Sequence, residues 1–334
     1  MEPTVTEESD ELHSTNRATA LLVSISCADV CDDESMDIGV VFPTCEIGDD
    51  PVAIRDWAQA AEALGYSHII AYDHVLGAER EGRDPELSGP YTERDAFHEP
   101  FVFFGFLAGV TSTIQFETAV IILPQRQTAL VAKQAAEVDV LSGGRLRLGV
   151  GTGWNYVEYE SLGVEWSDRG KIFDDQIGVL RALWTDEVLD YSSPFHRIDR
   201  AGIKPRPVHS IPIWFGGFSK RAVQRAARLG DGFTFPGAGR TTLANADVLR
   251  EALASEGRDP STFPIEVTIS YGLGEASWTT LLRSAEDAGI SHVALNAMST
   301  TSEWFGTPPS DLQSPAEHIA ALETFINFAQ DVIG

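Results

Sequence analysis

Lysine is scarce in this chain: only Lys133, Lys171, Lys204 and Lys220 occur among 24 basic residues. Against 50 acidic residues the formal net charge is −26. A surface of that sign repels a phosphate backbone and an anionic lipid surface, which speaks against nucleic acid and membrane as partners. Cysteine is equally sparse. Cys27, Cys31 and Cys45 are too few for a disulfide framework, and no Cys/His pair of zinc spacing follows the first two. Free thiols, no metal site and a cytoplasmic setting are therefore expected. Long apolar runs are missing as well, since none reaches the roughly 18 residues that read as a membrane span. No Walker A, no H-E-x-x-H and no Ser/His/Asp order is present, which removes the common nucleotide, zinc-protease and hydrolase readings.

What remains is a chain of 334 residues with a hydrophobic share of 43%, enough for one large core and within the range of a single α/β barrel. Residues 1–35 stand apart, with an acidic start and then a short apolar run over 18–28. A secretory signal needs a basic start, so this segment reads as an acidic extension, disordered or lying ahead of the true start at Met36. Residues 36–334 read as one domain. A carboxylate-rich, lysine-poor surface suits a halophilic source, where molar salt shortens charge repulsion to about 3 Å. A GC-rich genome would deplete lysine too.

From residue 37 onward, short β-branched runs alternate with longer amphipathic segments, the pattern of parallel strands joined by crossover helices. Strands are expected at 37–42, 68–72, 115–122, 145–150, 211–215, 232–235, 265–270 and 292–296. Helices are expected at 51–64, 129–141, 169–183, 220–229, 244–256, 278–288 and 315–332. Eight strands close a (β/α)8 TIM barrel. "LGYSH", "LGDGF" and "AGISH" repeat one joint, helix to Gly65, Gly230 or Gly289 and on to a strand. Two connections are long. Residues 77–99 follow a strand, which places them on the catalytic face as a lid or pocket wall, and 186–210 form a small excursion after a helix.

Three stretches carry candidate chemistry. "AYDHV" sets Asp73-His74 at a strand's C-terminal end, where a histidine can pass a proton near neutral pH and a neighbouring acid can fix its tautomer. "GVGTGW", residues 149–154, has glycines that admit a flat ligand or serve a tight turn, with the Thr152 hydroxyl beside them. "IWFGGFSKRAVQRAARLG" runs from a strand through Gly216-Gly217 to Ser219, an N-cap candidate. Free amides at that helix start form an anion site or simply an ordinary capped turn. "LSGGR" reads as a structural stop at the opposite end of the barrel.

Together "MDIGVVFP", "AEALGYSHIIAYDHV", the long segment from "ETAVIILPQ" to "GTGWNYVEYESLGV", "RALWT", "IKPRPV" and "IPIWFGGFSKRAVQRAARLGDGF" resemble the luciferase-like monooxygenase family, and within it the F420-dependent oxidoreductases. The resemblance covers 36 to about 330. It implies a barrel whose deazaflavin ring lies over the strand ends, with His74 at the reacting atoms and Asp73 as a ring-side contact. It implies a third-strand bulge with a non-proline cis peptide within Thr118-Ala119-Val120, at Ala119–Val120. Thr152 and Gly153 would line the cofactor, and Gly216, Gly217, Phe218 and Ser219 would hold its phosphate. Pairing as homodimers and a small-molecule substrate are implied too. One departure stands out: the family's sugar-phosphate dehydrogenases carry a catalytic glutamate after the Thr-Gly of the fourth strand, and this chain has Trp154. That substitution argues for an apolar substrate wall there. The resemblance leaves FMN with O2 as an alternative cofactor chemistry, and a non-catalytic flavin-binding barrel as a further one.

Overall fold

The structure, a computed structural model, describes residues 36–333; the expectations for 1–35, Cys27 and Cys31 among them, fall outside those residues. The chain opens with β1 (Asp37–Val41), a short α1 (Thr44–Ile47), α2 (Pro51–Ala63) and β2 (His68–Ala71). α3 (Pro100–Val110), β3 (Gln115–Thr118), β4 (Ile121–Ile122), α4 (Thr128–Ser142) and β5 (Leu146–Gly151) follow. Next come α5 (Tyr156–Ser161), α6 (Arg169–Thr185), an antiparallel hairpin of β6 (Leu189–Ser192) with β7 (Arg197–Ala201), and β8 (Ile213–Gly216). α7 (Lys220–Leu229), β9 (Gly232–Phe235), α8 (Arg240–Ser255), β10 (Ile265–Ser270), α9 (Glu275–Asp287), β11 (His292–Asn296), α10 (Ser302–Phe305) and α11 (Pro315–Ile333) complete it.

The main sheet runs β3-β2-β1-β11-β10-β9-β8-β5-β4, and β3 also pairs with β5. β3 and β4 are two halves of one broken strand, so eight parallel strands close a barrel, as the alternating pattern predicts. The strands are buried nearly throughout, with Val40, Ile69, Leu148 and Val267 fully enclosed. No helix among the described residues is long and apolar enough to cross a membrane. The excursion at 186–210 is the β6–β7 hairpin.

α3 is the helix that the periodic pattern does not reveal. Its sequence, PFVFFGFLAGV, is apolar all round, so no polar face marks it. Its start is marked by chemistry instead: Glu99 accepts a hydrogen bond from Val102 N at 2.9 Å, and Pro100 takes the first turn. The repeated glycine joint also divides. Gly65 and Gly289 take left-handed φ of 86° and 62°. Gly230 stays extended, and its missing side chain makes room for Phe215, whose ring carbon would stand 2.9 Å from a Cβ.

Toward the N-terminal ends of the strands the barrel encloses a polar cluster. His68 Nε2 lies 2.5 Å from Glu266 Oε1, and Thr234 donates to Glu266 Oε2 at 2.8 Å. Arg147 donates to Glu117 Oε2 at 2.6 Å and stacks 4.1 Å from the Trp214 ring. Gly39 on β1 has no side chain because the His68 imidazole fills that space. One atom each of His68, Glu117 and Glu266 falls within a 4.8 Å set, a grouping that no sequence spacing announces. "LSGGR" is structural, as expected: Arg145 ties the carbonyls of Ala108, Thr111, Ile114 and Ser142 together.

Candidate active site

β2 ends at Ala71, two residues before Asp73. Asp73 is buried, and its Oδ2 accepts from Ile122 N at 2.9 Å. Arg126 grips both oxygens, Nη2 to Oδ1 at 2.6 Å and Nε to Oδ2 at 3.2 Å. The same guanidinium donates to Glu99 Oε1 at 2.7 Å. Asp73 thus anchors the end of β2 to the broken third strand.

His74 faces the other partner set. Its Nδ1 lies 3.2 Å from Glu158 Oε2, while Glu158 Oε1 accepts from Val75 N at 2.7 Å and Leu76 N at 3.0 Å. Burial pushes the Glu158 carboxyl up, but His74 and the two amides outweigh it and hold the group below the usual range. An ionised carboxylate only accepts, so Nδ1 carries a proton, and in the neutral ring Nε2 is the acceptor. Tyr91, Phe97 and Trp154 surround the imidazole, with ring centroids at 5.1, 4.8 and 5.4 Å. Trp154 also packs on Gly89, where any side chain would strike the indole. Tyr91, Phe97 and Gly89 all belong to the 77–99 connection, so that segment is a wall of the site.

The Ala119–Val120 bond is cis, at the position the resemblance implies. The flanking glycines answer to this break. A Cβ on Gly149 would stand 1.7 Å from the Thr118 carbonyl oxygen. Gly151 and Gly216 would each collide with the Val120 side chain, and Gly153 with Ile122. Gly149 and Gly151 therefore admit the bulge itself, their close neighbour being the third strand, while Gly153 takes φ 62°, as the tight-turn reading expects. Thr118 is fully buried and donates to Gly149 O at 2.7 Å, so its hydroxyl is already engaged. The Thr152 carbonyl accepts from Tyr159 at 2.6 Å.

At the far side of β5, Gly217 takes φ 135° and Ser219 caps α7, accepting from Ala222 N at 3.2 Å. The amides of Lys220 and Arg221 precede the first intrahelical bond and stay available to an anion. The Phe218 side chain is 68% exposed and joins no cluster. The structure thus brings His74, Ala119 and Trp154 around one apolar core with Tyr72, Tyr91 and Phe97, while Asp73 turns to Ile122 and Arg126 instead. Gly216 ends β8 against Val120, and Gly217 to Ser219 stand apart at the helix start. Glu158, Arg126 and Glu99 escape the sequence reading, because their partners lie 84, 53 and 27 residues away. Cys45 is a free thiol pushed up to about 12 by burial and nearby carboxylates.

A closed parallel barrel with polar chemistry gathered at its strand ends is the architecture of an α/β-barrel enzyme. The chain belongs to the luciferase-like monooxygenase family, whose sequence profile matches residues 36–277. It is 31% identical over 273 residues to an uncharacterized protein of Mycobacterium tuberculosis, covering 79% of this chain and 93% of that one. An FMNH2-dependent dimethylsulfone monooxygenase of Pseudomonas fluorescens is 30% identical over 183 residues, 53% of this chain and 46% of the relative. Among solved structures, an F420-dependent secondary alcohol dehydrogenase in complex with an F420–acetone adduct superposes with a TM-score of 0.67 at 18% identity, over 89% of this chain and 99% of that one.

Proposed function

We propose that this chain is a cytoplasmic F420-dependent oxidoreductase that exchanges a hydride with a small organic substrate. The observation that carries this reading is His74, oriented by Glu158 and boxed by three aromatic rings at the end of β2. When bound, the deazaflavin supplies or accepts the hydride at C5. The free amides of Lys220 and Arg221, with Gly217 giving clearance beside them, fit its phosphate. Thr152, Gly153 and the Ala119–Val120 turn would lie against its ring.

His74 does the proton work. With Nδ1 committed to Glu158, Nε2 takes the proton of a substrate hydroxyl as the hydride departs, and returns it in the reverse direction. The aromatic box excludes water from that exchange, and Trp154 replaces a charged side chain with an apolar wall.

The test is titration of the purified chain with F420 and with FMN, followed by tryptophan quenching, then single-turnover assays with alcohols and ketones. F420 binding with substrate-dependent bleaching of the deazaflavin supports the reading. His74→Ala should retain F420 and lose about 10²- to 10⁴-fold in rate. A second reading, an FMN-dependent monooxygenase, is favoured by the relative that oxidises dimethylsulfone. Binding of FMN alone, with an oxygen atom from O2 appearing in the substrate when FMNH2 is supplied by a flavin reductase and NADH, would establish it instead.

A further inference from the structure

A cavity of about 630 Å3 opens over the C-terminal ends of β9, β10 and β11. Apart from its neighbour Tyr72, it shares no wall with the residues discussed so far. Its size falls within the range of small-molecule pockets. The wall holds the hydroxyls of Thr242, Ser277 and Thr280, the Asn296 amide and the Phe305 ring, but no Asp, Glu, Lys, Arg or His. That absence is notable in a chain of which 22% is charged. Arg240, at the adjoining start of α8, is exposed and is not part of the wall.

Tyr72 connects the two regions. Its ring packs in the apolar cluster with Tyr91, Phe97 and Trp154, and the same residue lines the cavity beside Asn296. Asn296 Nδ2 sits 3.5 Å from the Tyr72 hydroxyl, and Asn296 is itself fixed by Met298 N, which donates to Oδ1 at 2.9 Å. Among the described residues the Tyr72 proton has no acceptor, so it is free to be donated into the cavity. Burial raises the phenol above its ordinary range, which keeps that proton in place.

We infer that this cavity binds an uncharged organic molecule bearing a hydroxyl or carbonyl oxygen, with Tyr72 donating a hydrogen bond to that oxygen. A carboxylate, phosphate or ammonium group would leave water there and meet no counter-ion, whereas a neutral oxygen meets a donor and an apolar frame meets Phe305 and Leu273. The inference rests on the proposed oxidoreductase function for its meaning, but the binding itself is independent of any cofactor.

The test uses one carbon frame in four forms: 4-phenyl-2-butanone, 4-phenyl-2-butanol, 4-phenylbutyrate and 4-phenylbutylamine. Calorimetry on the full chain, with and without added F420 or FMN, should show the two neutral probes binding at least tenfold tighter than the two charged ones. Tyr72→Phe should weaken the neutral probes by about two- to tenfold. Ser277→Trp, or Thr280→Phe if the first variant misfolds, should fill the cavity and abolish probe binding while cofactor titration is unchanged. Equal binding of neutral and charged probes, unchanged binding in a folded, filled variant, or binding of none of the four overturns the inference. If the neutral probes bind but neither cofactor does, the cavity assignment stands and the oxidoreductase reading fails.

Discussion

At the scale of single residues, the consequential pair is His74 and Glu158. Both oxygens of Glu158 act as acceptors, one for Nδ1 and one for two backbone amides. In Glu158→Gln one end becomes a donor. Kept on the amides, the remaining oxygen turns the new N–H2 toward Nδ1 and forces the opposite tautomer, with Nε2 protonated. The expected outcome is a fall in kcat of about 10²-fold or more with KM and cofactor affinity nearly unchanged. Steady-state kinetics over a pH series checks it, and a normal kcat would remove Glu158 from the site. His74 was legible because it sits beside Asp73 at a strand end. Glu158 was not, since only the closed barrel brings α5 over β2.

Glu117 makes a separate prediction. Burial and the neighbouring Glu266 charge push it up to about 7, against the pull of Arg147. Its folded value lies above the ordinary 4.5, so the folded chain keeps a proton that the unfolded chain releases. Stability from this group is complete below about 4.5 and is lost as pH rises through about 7. Relative to the parent, Glu117→Gln should therefore gain on the order of 2–3 kcal/mol between pH 4.5 and 8, whatever its constant offset. Urea unfolding at both ends of that range measures it; a pH-independent difference would contradict the assignment.

At the scale of elements, the strands were readable from their β-branched runs, and seven of the helices from their apolar stripe. α3 and the break between β3 and β4 were not readable from period. α3 lacks a polar face, and the break follows from close contacts between strands far apart in sequence. Those contacts make the glycines of β5 and α6 behave oppositely. Gly149→Ala puts a methyl against the Thr118 carbonyl and should cost about 3 kcal/mol or more, or prevent folding. Gly178, in the middle of α6, is exposed and its Cβ would touch nothing, so Gly178→Ala should stabilise by about 0.5–1 kcal/mol. Thermal unfolding of the two variants would show both signs.

For the whole molecule, charge is the dominant feature. A net charge of −26 destabilises the compact state through self-repulsion that salt screens. The urea midpoint should rise steadily between about 0.1 and 2 M KCl, where the Debye length shortens from about 10 Å to a few ångström. A flat response would leave lysine scarcity to genome composition and dispose of a halophilic origin.

Arg126 holds Asp73, where the chain leaves β2, and Glu99, where it enters α3. One guanidinium therefore clasps both ends of the intervening excursion, whose two feet stand side by side on the barrel rim. Such a stretch is a cassette. A replacement of different length and lining should leave the strands beneath unmoved, provided its two acidic feet and the contacts of Val75 and Leu76 with Glu158 are kept. Grafts from relatives onto this frame would then change which molecules reach His74 while the barrel stays as it is.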